Sequence, residues 1–253
     1  MTILTNLTAL ISGASAGIGE ACAKKFAAAG FNLVLCARRS ALIEKLAINL
    51  ESEHNVSVET FELDVRDANS VKSTLSNIAP NIDVLINNAG LSRGLAPLQE
   101  GLLTDWDEMI DTNVKGLLYV SRLIAPLMAE KGKGQIINIG SIAGREVYPN
   151  GAVYCASKHA VSAINEGMRM DLYSSGVKVS TVDPGLVNTE FSSVRFHGDK
   201  ERADAVYKGM TPLIAEDVAS TVLYVAQQPA HVNIAEVVIL PTDQASATVV
   251  NRK

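Results

Sequence analysis

Cysteine is scarce in this sequence, and its scarcity excludes two kinds of protein. Only three cysteines occur in 253 residues, and none lies at the spacing of a metal-binding pair. An odd, sparse set, Cys22, Cys36 and Cys155, favours free thiols in a reducing compartment over a disulfide framework. We therefore expect no metal site, no disulfide and a cytoplasmic location.

Basic runs and long apolar runs are also missing. Lysine and arginine total 22 against 27 acidic residues, a formal net charge of −5, and no basic run offers the footprint that a phosphate backbone requires. Nucleic acid is therefore not an expected partner. The chain has no Lys or Arg before Lys24, and its first apolar stretch is short and broken by glycines, so neither a signal peptide nor a membrane span is expected.

Apolar runs of strand length alternate with segments of helical spacing along the whole chain. Several strand runs are continuous, which is typical of strands buried on both faces. The predicted strands are 9–12, 32–37, 56–61, 84–86, 135–139, 177–182 and 237–240, and the predicted helices are 17–29, 41–53, 69–78, 105–129, 153–173 and 216–226. This order predicts one α/β domain over 1–253, a Rossmann-type doubly wound parallel sheet with helices on both faces and a ligand site outside the carboxyl ends of the strands.

Segment 186–212 departs from this alternation because it is too long for an ordinary connection. It mixes aromatic and charged residues between a predicted strand and a predicted helix. An insertion of that length after the carboxyl end of a strand is often a lid over the site. A solvated surface excursion is the alternative.

A glycine-rich turn follows the first predicted strand and leads directly into a helix. Glycines permit a tight turn and let a pyrophosphate approach backbone N–H groups at the positive end of the helix. Within the βαβ order this turn predicts dinucleotide binding. The predicted contacts are Gly13, Ser15, Ala16, Gly17, Ile18 and Gly19.

Arg38 and Arg39 end the second predicted strand, where an NAD-binding protein carries a carboxylate for the adenosine ribose. Two guanidinium groups bind a 2′-phosphate through charge-assisted hydrogen bonds, and no acidic residue stands beside them in the sequence. The expected cofactor is therefore NADP(H). Two solvated residues at a helix start are the alternative, but they would leave the missing acid unexplained.

The order of these motifs resembles the short-chain dehydrogenase/reductase family. The matching residues, with Ser12 where threonine is more usual, are Asp64, Asn87–Gly90, Asn113, Ser141, Tyr154, Lys158 and Pro184–Gly185. The resemblance implies that Asp64 and Val65 flank the adenine. It also implies that the cofactor is lined by Asn88, Ala89 and Gly90, with Pro184, Gly185, Val187 and Thr189 near the nicotinamide.

Tyr154 and Lys158 are four residues apart in a predicted helix, so their side chains lie on one face. An adjacent ammonium group stabilises a phenolate and lowers the pKa of the tyrosine, which makes Tyr154 the expected general acid and base. The resemblance gives Lys158 a second role in binding the nicotinamide ribose. It gives Ser141 a hydrogen bond to the substrate oxygen, and Asn113 a water that links Lys158 to solvent.

Later stretches resemble a narrower group, the NADP-dependent 3-hydroxy acid and serine dehydrogenases, and also sulfoacetaldehyde reductases. These stretches are Pro184–Val187, Thr189–Phe191, Val194–Phe196, Gly198–Asp199 and Pro229–Asn233. The resemblance implies a small anionic carbonyl or alcohol substrate and a homotetramer. Besides Ser141 and Tyr154, the substrate contacts we expect are Arg195 as anion clamp, Tyr148 as hydrogen-bond donor and Gln244 from the tail, with Arg145 as second choice for the clamp.

Two other functions stay open at this point. One is a reductase of bulkier ketones or of acyl-carrier-linked 3-oxoacyl groups, for which an exposed basic patch would be expected and is not evident. The other is a non-catalytic NADP-binding regulator. The presence of Asn113, Ser141, Tyr154 and Lys158 together argues against a regulator, because loss of chemistry usually frees at least one of them.

Overall fold

The computed structural model describes residues 7–253 of the chain. Its main sheet contains β1 (Thr8–Ser12), β2 (Asn32–Ala37), β3 (Val58–Glu62), β4 (Val84–Asn87), β5 (Gly134–Ile139), β6 (Val177–Pro184) and β9 (Glu236–Ile239), while β7 (Val187–Asn188) pairs separately with β8 (Leu213–Ile214). The helices are α1 (Gly17–Ala28), α2 (Ser40–Glu53), α3 (Ala68–Leu75), α4 (Leu103–Ile110), α5 (Leu117–Lys131), α6 (Ala152–Leu172), α7 (Phe191–Arg195), α8 (Lys200–Ala205) and α9 (Ala215–Ala226). Within residues 7–253, none of these helices has both the length and the apolarity to cross a bilayer.

The main sheet has the order β3-β2-β1-β4-β5-β6-β9, and every pair of neighbouring strands is parallel. The predicted doubly wound parallel sheet is therefore confirmed. The strand order reverses between β1 and β4, and a ligand crevice opens outside the carboxyl ends at such a reversal. The residues that follow these strands accordingly meet at one edge.

Two apolar layers cover the sheet, one on each face. Along β1, Ile11 belongs to the layer that contains Phe26 of α1 and Val222 of α9, whereas Leu10 belongs to the layer that contains Ile124 of α5. Successive residues of a strand point to opposite faces, so a strand covered on both faces is apolar at every position. This double burial explains the continuous apolar runs of the sequence.

The predicted helix over 105–129 is wrong in one respect, because a π-helical turn at Asp111–Gly116 divides it into α4 and α5. At this turn the amide of Asn113 accepts the N–H of Leu91 and donates to its carbonyl, both at 2.8 Å. Gly116 lets the chain approach Val65, since a Cβ there would lie 2.6 Å from its Cγ2. A π-turn is rare and is frequent at functional sites.

Segment 186–212 contains β7, α7 and α8. Ser192, Phe196 and Ala203 are all buried within it. The chain terminus fastens the far end of the segment, because the guanidinium of Arg252 donates to the carbonyls of Lys208 at 2.6 Å and Val206 at 3.1 Å. The far end of the segment is thus fixed to the end of the chain.

Candidate active site

A cavity of about 650 Å³ runs along the carboxyl ends of the central strands. Its volume lies within the range of ordinary ligand pockets. Of the site residues predicted from the sequence, Gly19, Asn113 and the second-choice clamp residue Arg145 do not line it, and all the others do. The other predicted cofactor and substrate residues therefore line one cavity, although they come from segments spread over most of the chain.

The glycine turn is shaped by contact with the end of β4. Gly13 has φ +67°, in the left-handed region, and a Cβ there would lie 2.8 Å from the Cα of Ala89. A Cβ on Gly19 would collide with the carbonyl oxygen of Gly13. Gly19 is therefore required for the packing of α1 against the turn, rather than for contact with a ligand.

Ser12 and Asn88 tie the ends of β1 and β4 together. The Ser12 hydroxyl accepts the N–H groups of Asn88 at 3.0 Å and Ala89 at 3.1 Å. In return, the Asn88 side-chain amide donates to the carbonyls of Ser12 and Gly13, both at 3.0 Å. Asn88 thus lies on the cavity wall, but its NH₂ group is used to hold the turn. A serine hydroxyl suffices here, which explains why threonine is not needed at position 12.

The start of α1 offers N–H groups to the cavity. Its N-cap residue, Ala16, is extended, and no side chain of residues 7–253 caps the helix. The first N–H groups of a helix lack partners within the helix and carry its positive dipole end, so they bind anions. This end of α1 therefore fits a pyrophosphate.

Arg38 and Arg39 flank the outer end of the cavity and are about half-exposed. Acidic residues do lie beside them, contrary to what the local sequence suggests. Arg39 donates to Ser15 at 3.2 Å and to Glu190 at 3.0 Å, and Arg38 lies 3.7 Å from Glu108. The Arg39–Glu190 pair is exposed on both sides and such pairs are worth under about 1 kcal/mol, so a dianionic phosphate can displace Glu190.

Asp64 and Val65 line the cavity as the resemblance implies, but each has another partner. The guanidinium of Arg66 donates to both carboxylate oxygens of Asp64, with its Nε 2.9 Å from each. This hydrogen bonding holds the pKa of Asp64 below its usual value. Val65 packs against Gly116 of the π-turn.

Tyr154 and Lys158 lie on one face of α6 and both are buried. Lys158 Nζ donates to the carbonyl of Ile139 at 2.9 Å, and burial lowers the pKa of its ammonium group to about 8. Burial raises the pKa of Tyr154 above its usual value, while a hydrogen bond with Ser141 acts in the opposite direction. The expectation that a neighbouring ammonium lowers the pKa of this tyrosine is not met, because desolvation of the phenolate dominates.

Ser141 follows β5 and begins a short 3₁₀ turn, Ile142–Gly144. Its Oγ accepts the N–H of Ala143 at 3.1 Å, which fixes the hydroxyl while leaving its proton free to be donated. The side chain is buried and lines the cavity beside Tyr154. The hydroxyl groups of Ser141 and Tyr154 can therefore both donate hydrogen bonds to one oxygen atom of a molecule in the cavity.

Asn113 acts beneath the cavity wall. Besides its two bonds to Leu91, its side-chain NH₂ donates to the Ser157 hydroxyl at 3.0 Å, and that hydroxyl donates to the carbonyl of Tyr154 at 2.7 Å. The side chain thus links the loop after β4 to the helix turn that carries Tyr154. A mid-helix asparagine has a cost in helix propensity, and these bonds are what offsets it.

Arg195 of α7 extends over Tyr154. Its guanidinium carbon lies 5.4 Å from the centre of the Tyr148 ring and 5.9 Å from that of Tyr154, and its Nη2 donates to the Tyr148 hydroxyl at 2.9 Å. No carboxylate of residues 7–253 forms an ion pair with it. The cavity therefore holds a cation that has no anionic partner within the described part of the chain.

Phe191 is a wall residue that the sequence did not single out. Its ring meets that of Tyr154 edge to face, with the centroids 5.7 Å apart. The sequence gives two signals: Phe191 is one of three aromatic residues in segment 186–212, and it belongs to the stretch Thr189–Phe191 of the narrower resemblance. Through this contact α7 covers Tyr154 and restricts the space beside it.

Arg145 and Gln244 have partners elsewhere. Arg145 donates to the buried carboxylate of Asp183 at 2.8 Å and to Glu236 at 2.6 Å, so it neutralises those acids instead of facing a substrate. Gln244 is buried in the cavity wall, where its Oε1 accepts the N–H of Leu186 at 2.8 Å and its amide donates to the Ser246 carbonyl. It holds the beginning of segment 186–212, and its side-chain amide is engaged with the backbone at both of its ends.

Comparison with known proteins gives concordant similarities. Residues 7–200 match the family model of short chain dehydrogenases. The chain is 42 % identical over 257 residues to an NADP-dependent 3-hydroxy acid dehydrogenase of Schizosaccharomyces pombe, with 100 % of this chain and 99 % of that protein covered. It is 44 % identical over 248 residues to sulfoacetaldehyde reductase 2 of Chromohalobacter salexigens, with 96 % and 98 % covered. The solved closed form of serine dehydrogenase complexed with NADP⁺ superposes with a TM-score of 0.90 at 39 % identity, with 98 % and 100 % covered.

Replacement of Lys158 by Met tests the cost of the buried ammonium group. Burial lowers the pKa of Lys158 from 10.5 in the unfolded chain to about 8 in the folded protein. At a pH between these two values the unfolded chain therefore holds a proton that the folded protein has lost, and the free energy of unfolding rises with pH. Lys158→Met should therefore raise the free energy of unfolding at pH 7 by roughly 1–3 kcal/mol, and the gain should shrink at pH 9.5. Urea unfolding at both pH values measures the difference. The exposed Lys24→Met is the control, and a Lys158→Met protein that is less stable at pH 7 contradicts the account.

Proposed function

We propose that this chain, which belongs to the short-chain dehydrogenase family, interconverts a small acidic hydroxy compound and its aldehyde or ketone. The chain is an NADP-dependent oxidoreductase that acts on CH–OH groups, as its relatives are. The proposal of an acidic substrate rests on Arg195, which lines the cavity and has no ion-pair partner among residues 7–253. Its guanidinium group lies next to Tyr154, the proposed proton donor.

The cofactor supplies or accepts the hydride when it is bound. Its pyrophosphate would be held by the first N–H groups of α1 beside Gly13, and its 2′-phosphate by Arg38, Arg39 and Ser15. The expected wall also includes Asn88–Gly90, Lys158, Pro184, Gly185, Val187 and Thr189, all of which line the cavity.

Tyr154 is the proposed acid and base. Its buried hydroxyl has a raised pKa, so it stays protonated at neutral pH and can donate its proton to a carbonyl oxygen that gains charge. The Ser141 hydroxyl donates a second hydrogen bond to the same oxygen and stabilises that charge. The neighbouring Lys158, with a pKa of about 8, can resupply the proton and orient the cofactor ribose.

Arg195 and Tyr148 form the proposed anion clamp. A guanidinium group binds a carboxylate or a sulfonate by forked hydrogen bonds, and the Tyr148 hydroxyl beside it offers another polar contact. Segment 186–212 is the proposed lid, since α7 carries Arg195 and Phe191 over Tyr154. The names of the relatives point to 3-hydroxy acids, including serine, or to sulfoacetaldehyde.

A reductase of bulkier ketones or of acyl-carrier-linked groups is less compatible with this arrangement. Phe191 and Tyr148 both stand close to Tyr154, and the cavity of about 650 Å³ must hold the cofactor as well. Little room therefore remains for a large substrate.

A homotetramer in the cytoplasm completes the proposal. Exposed apolar side chains on α4, α5, α9 and β9 support association: Leu103, Leu118, Tyr224 and Val238. The three cysteines are free and buried, as expected in a reducing compartment.

Cofactor preference is the first test of the proposal. The double change Arg38→Ala with Arg39→Ala should weaken NADPH binding by about 2–4 kcal/mol, because charge-assisted hydrogen bonds to the 2′-phosphate are lost. NADH binding should hardly change. Fluorescence titration of both cofactors measures this, and equal use of NADH and NADPH by the unmodified protein would overturn the assignment.

Tyr154→Phe removes only the hydroxyl that moves the proton. The turnover number should fall at least about 100-fold, the usual contribution of a general acid, while NADPH affinity stays nearly unchanged. Tyr173→Phe, at an exposed tyrosine, is the matched control and should keep full activity. Retention of more than about a tenth of the rate by Tyr154→Phe would mean that another group is the acid.

Arg195→Ala tests the substrate class. Loss of a desolvated charge-assisted contact costs about 2–5 kcal/mol, whereas loss of an exposed ion pair costs under about 1 kcal/mol. The Michaelis constants for malonate semialdehyde and sulfoacetaldehyde should therefore rise far more than that for a neutral aldehyde of similar size. The exposed Arg122→Ala serves as control. A small, uniform change across all three substrates would show that Arg195 does not recognise the charge of the substrate.

A further inference from the structure

Arg93, in the loop after β4, lies outside the cavity wall and contacts the lid from behind. Its Nη1 donates to the carbonyl of Val194 at 2.7 Å, one residue before Arg195. The carboxylate of Glu108 on α4 holds the same guanidinium through Nε at 2.7 Å and Nη2 at 3.4 Å. Arg93 is thus clamped on one side to α4 and on the other to α7.

Gly94 adds backbone contacts to the same helix end. Its N–H donates to the carbonyl of Arg195 at 2.8 Å, and its own carbonyl accepts the Nε of Arg195 at 3.2 Å. The loop 93–94 therefore binds two successive carbonyls at the end of α7 and one edge of the Arg195 guanidinium. The remaining edge, with Nη2, is directed to Tyr148.

The five residues of α7 cannot hold this geometry alone. Isolated helices shorter than about 12 residues are marginal in water, so the position of α7 depends on what binds it. A cation at the carbonyl end of a helix also stabilises that end. Arg93 supplies this cation, and Glu108 fixes the direction of its fork.

We propose that Arg93, oriented by Glu108, is a positioning residue that sets the Arg195 guanidinium opposite Tyr154. The inference rests on the proposed function, because it takes Arg195 as the group that binds the acidic end of the substrate. Arg93 itself touches neither the cavity nor the tyrosine. We therefore expect its effect on substrate binding to pass through Arg195.

Arg93 is a cleaner residue to change than Glu108. Glu108 Oε1 also lies 3.7 Å from Arg38 and 3.7 Å from Arg66, so its removal would disturb the cofactor end as well. Arg93 has no such contact with the cofactor end among residues 7–253, since its salt bridge is to Glu108 alone. The NADPH affinity of the Arg93→Ala protein therefore shows whether the change is confined to the lid or also disturbs the cofactor end.

The test is a double-mutant cycle between Arg93→Ala and Arg195→Ala. Steady-state kinetics with NADPH would use malonate semialdehyde and propanal, a neutral aldehyde of similar size. Arg93→Ala should raise the Michaelis constant for malonate semialdehyde about tenfold, the effect of one charge-assisted hydrogen bond, and leave that for propanal and the NADPH affinity unchanged. In the Arg195→Ala background, Arg93→Ala should raise the Michaelis constant for malonate semialdehyde by less than about twofold, because no guanidinium group is left to be positioned.

Two further variants complete the design. Arg93→Lys keeps a cation near Val194 but loses the fork to Glu108, so it should give an intermediate Michaelis constant and remain informative if Arg93→Ala folds poorly. Lys24→Ala, which breaks the exposed pair with Glu20 on α1, should change nothing. It shows what loss of an unrelated ion pair does.

The outcomes separate the two claims. If Arg195→Ala raises the Michaelis constant for the acidic aldehyde selectively but Arg93→Ala has no effect, or multiplies it equally in both backgrounds, the positioning role is wrong and the proposed function stands. If Arg195→Ala does not discriminate between the two aldehydes, the clamp is wrong and the role of Arg93 falls with it.

Discussion

Parallel pairing of seven strands is the constraint on which the site depends. Because every strand runs the same way, all carboxyl ends lie at one edge of the sheet, and the order reverses there between β1 and β4. The Ser12 hydroxyl and the Asn88 amide join those two ends. The start of α1 follows β1 and Ser141 follows β5, which pairs with β4, so both lie beside this junction.

Burial is the second determinant of the chemistry. It raises the pKa of Tyr154 and lowers that of Lys158 to about 8, so both groups are shifted toward their neutral forms. A neutral phenol can donate a proton, and a lysine that titrates near pH 8 can return one. Arg195 lies in the same cavity and has no ion-pair partner among residues 7–253, so an anionic substrate would supply that partner.

The sequence is sufficient for those features that depend on local pattern. Continuous apolar runs predict the strands because both faces are covered, and the spacing of four residues predicts that Tyr154 and Lys158 share a face of α6. The acids beside the arginines could not be predicted, since Glu190 is 151 residues away from Arg39 and is brought to it by the fold. The π-turn at Asn113 and the raised pKa of Tyr154 likewise follow from packing, which no short window of sequence contains.

Turnover by the unmodified protein is the most direct test of the central claim. NADPH oxidation would be followed with malonate semialdehyde, sulfoacetaldehyde and uncharged aldehydes of similar size, and NADP⁺ reduction with L-serine. At least one acidic substrate should be used with a far higher kcat/KM than any uncharged aldehyde, because only the acidic one pairs with Arg195. Equal kcat/KM values for acidic and uncharged aldehydes, or no turnover of any acidic substrate, would contradict this prediction.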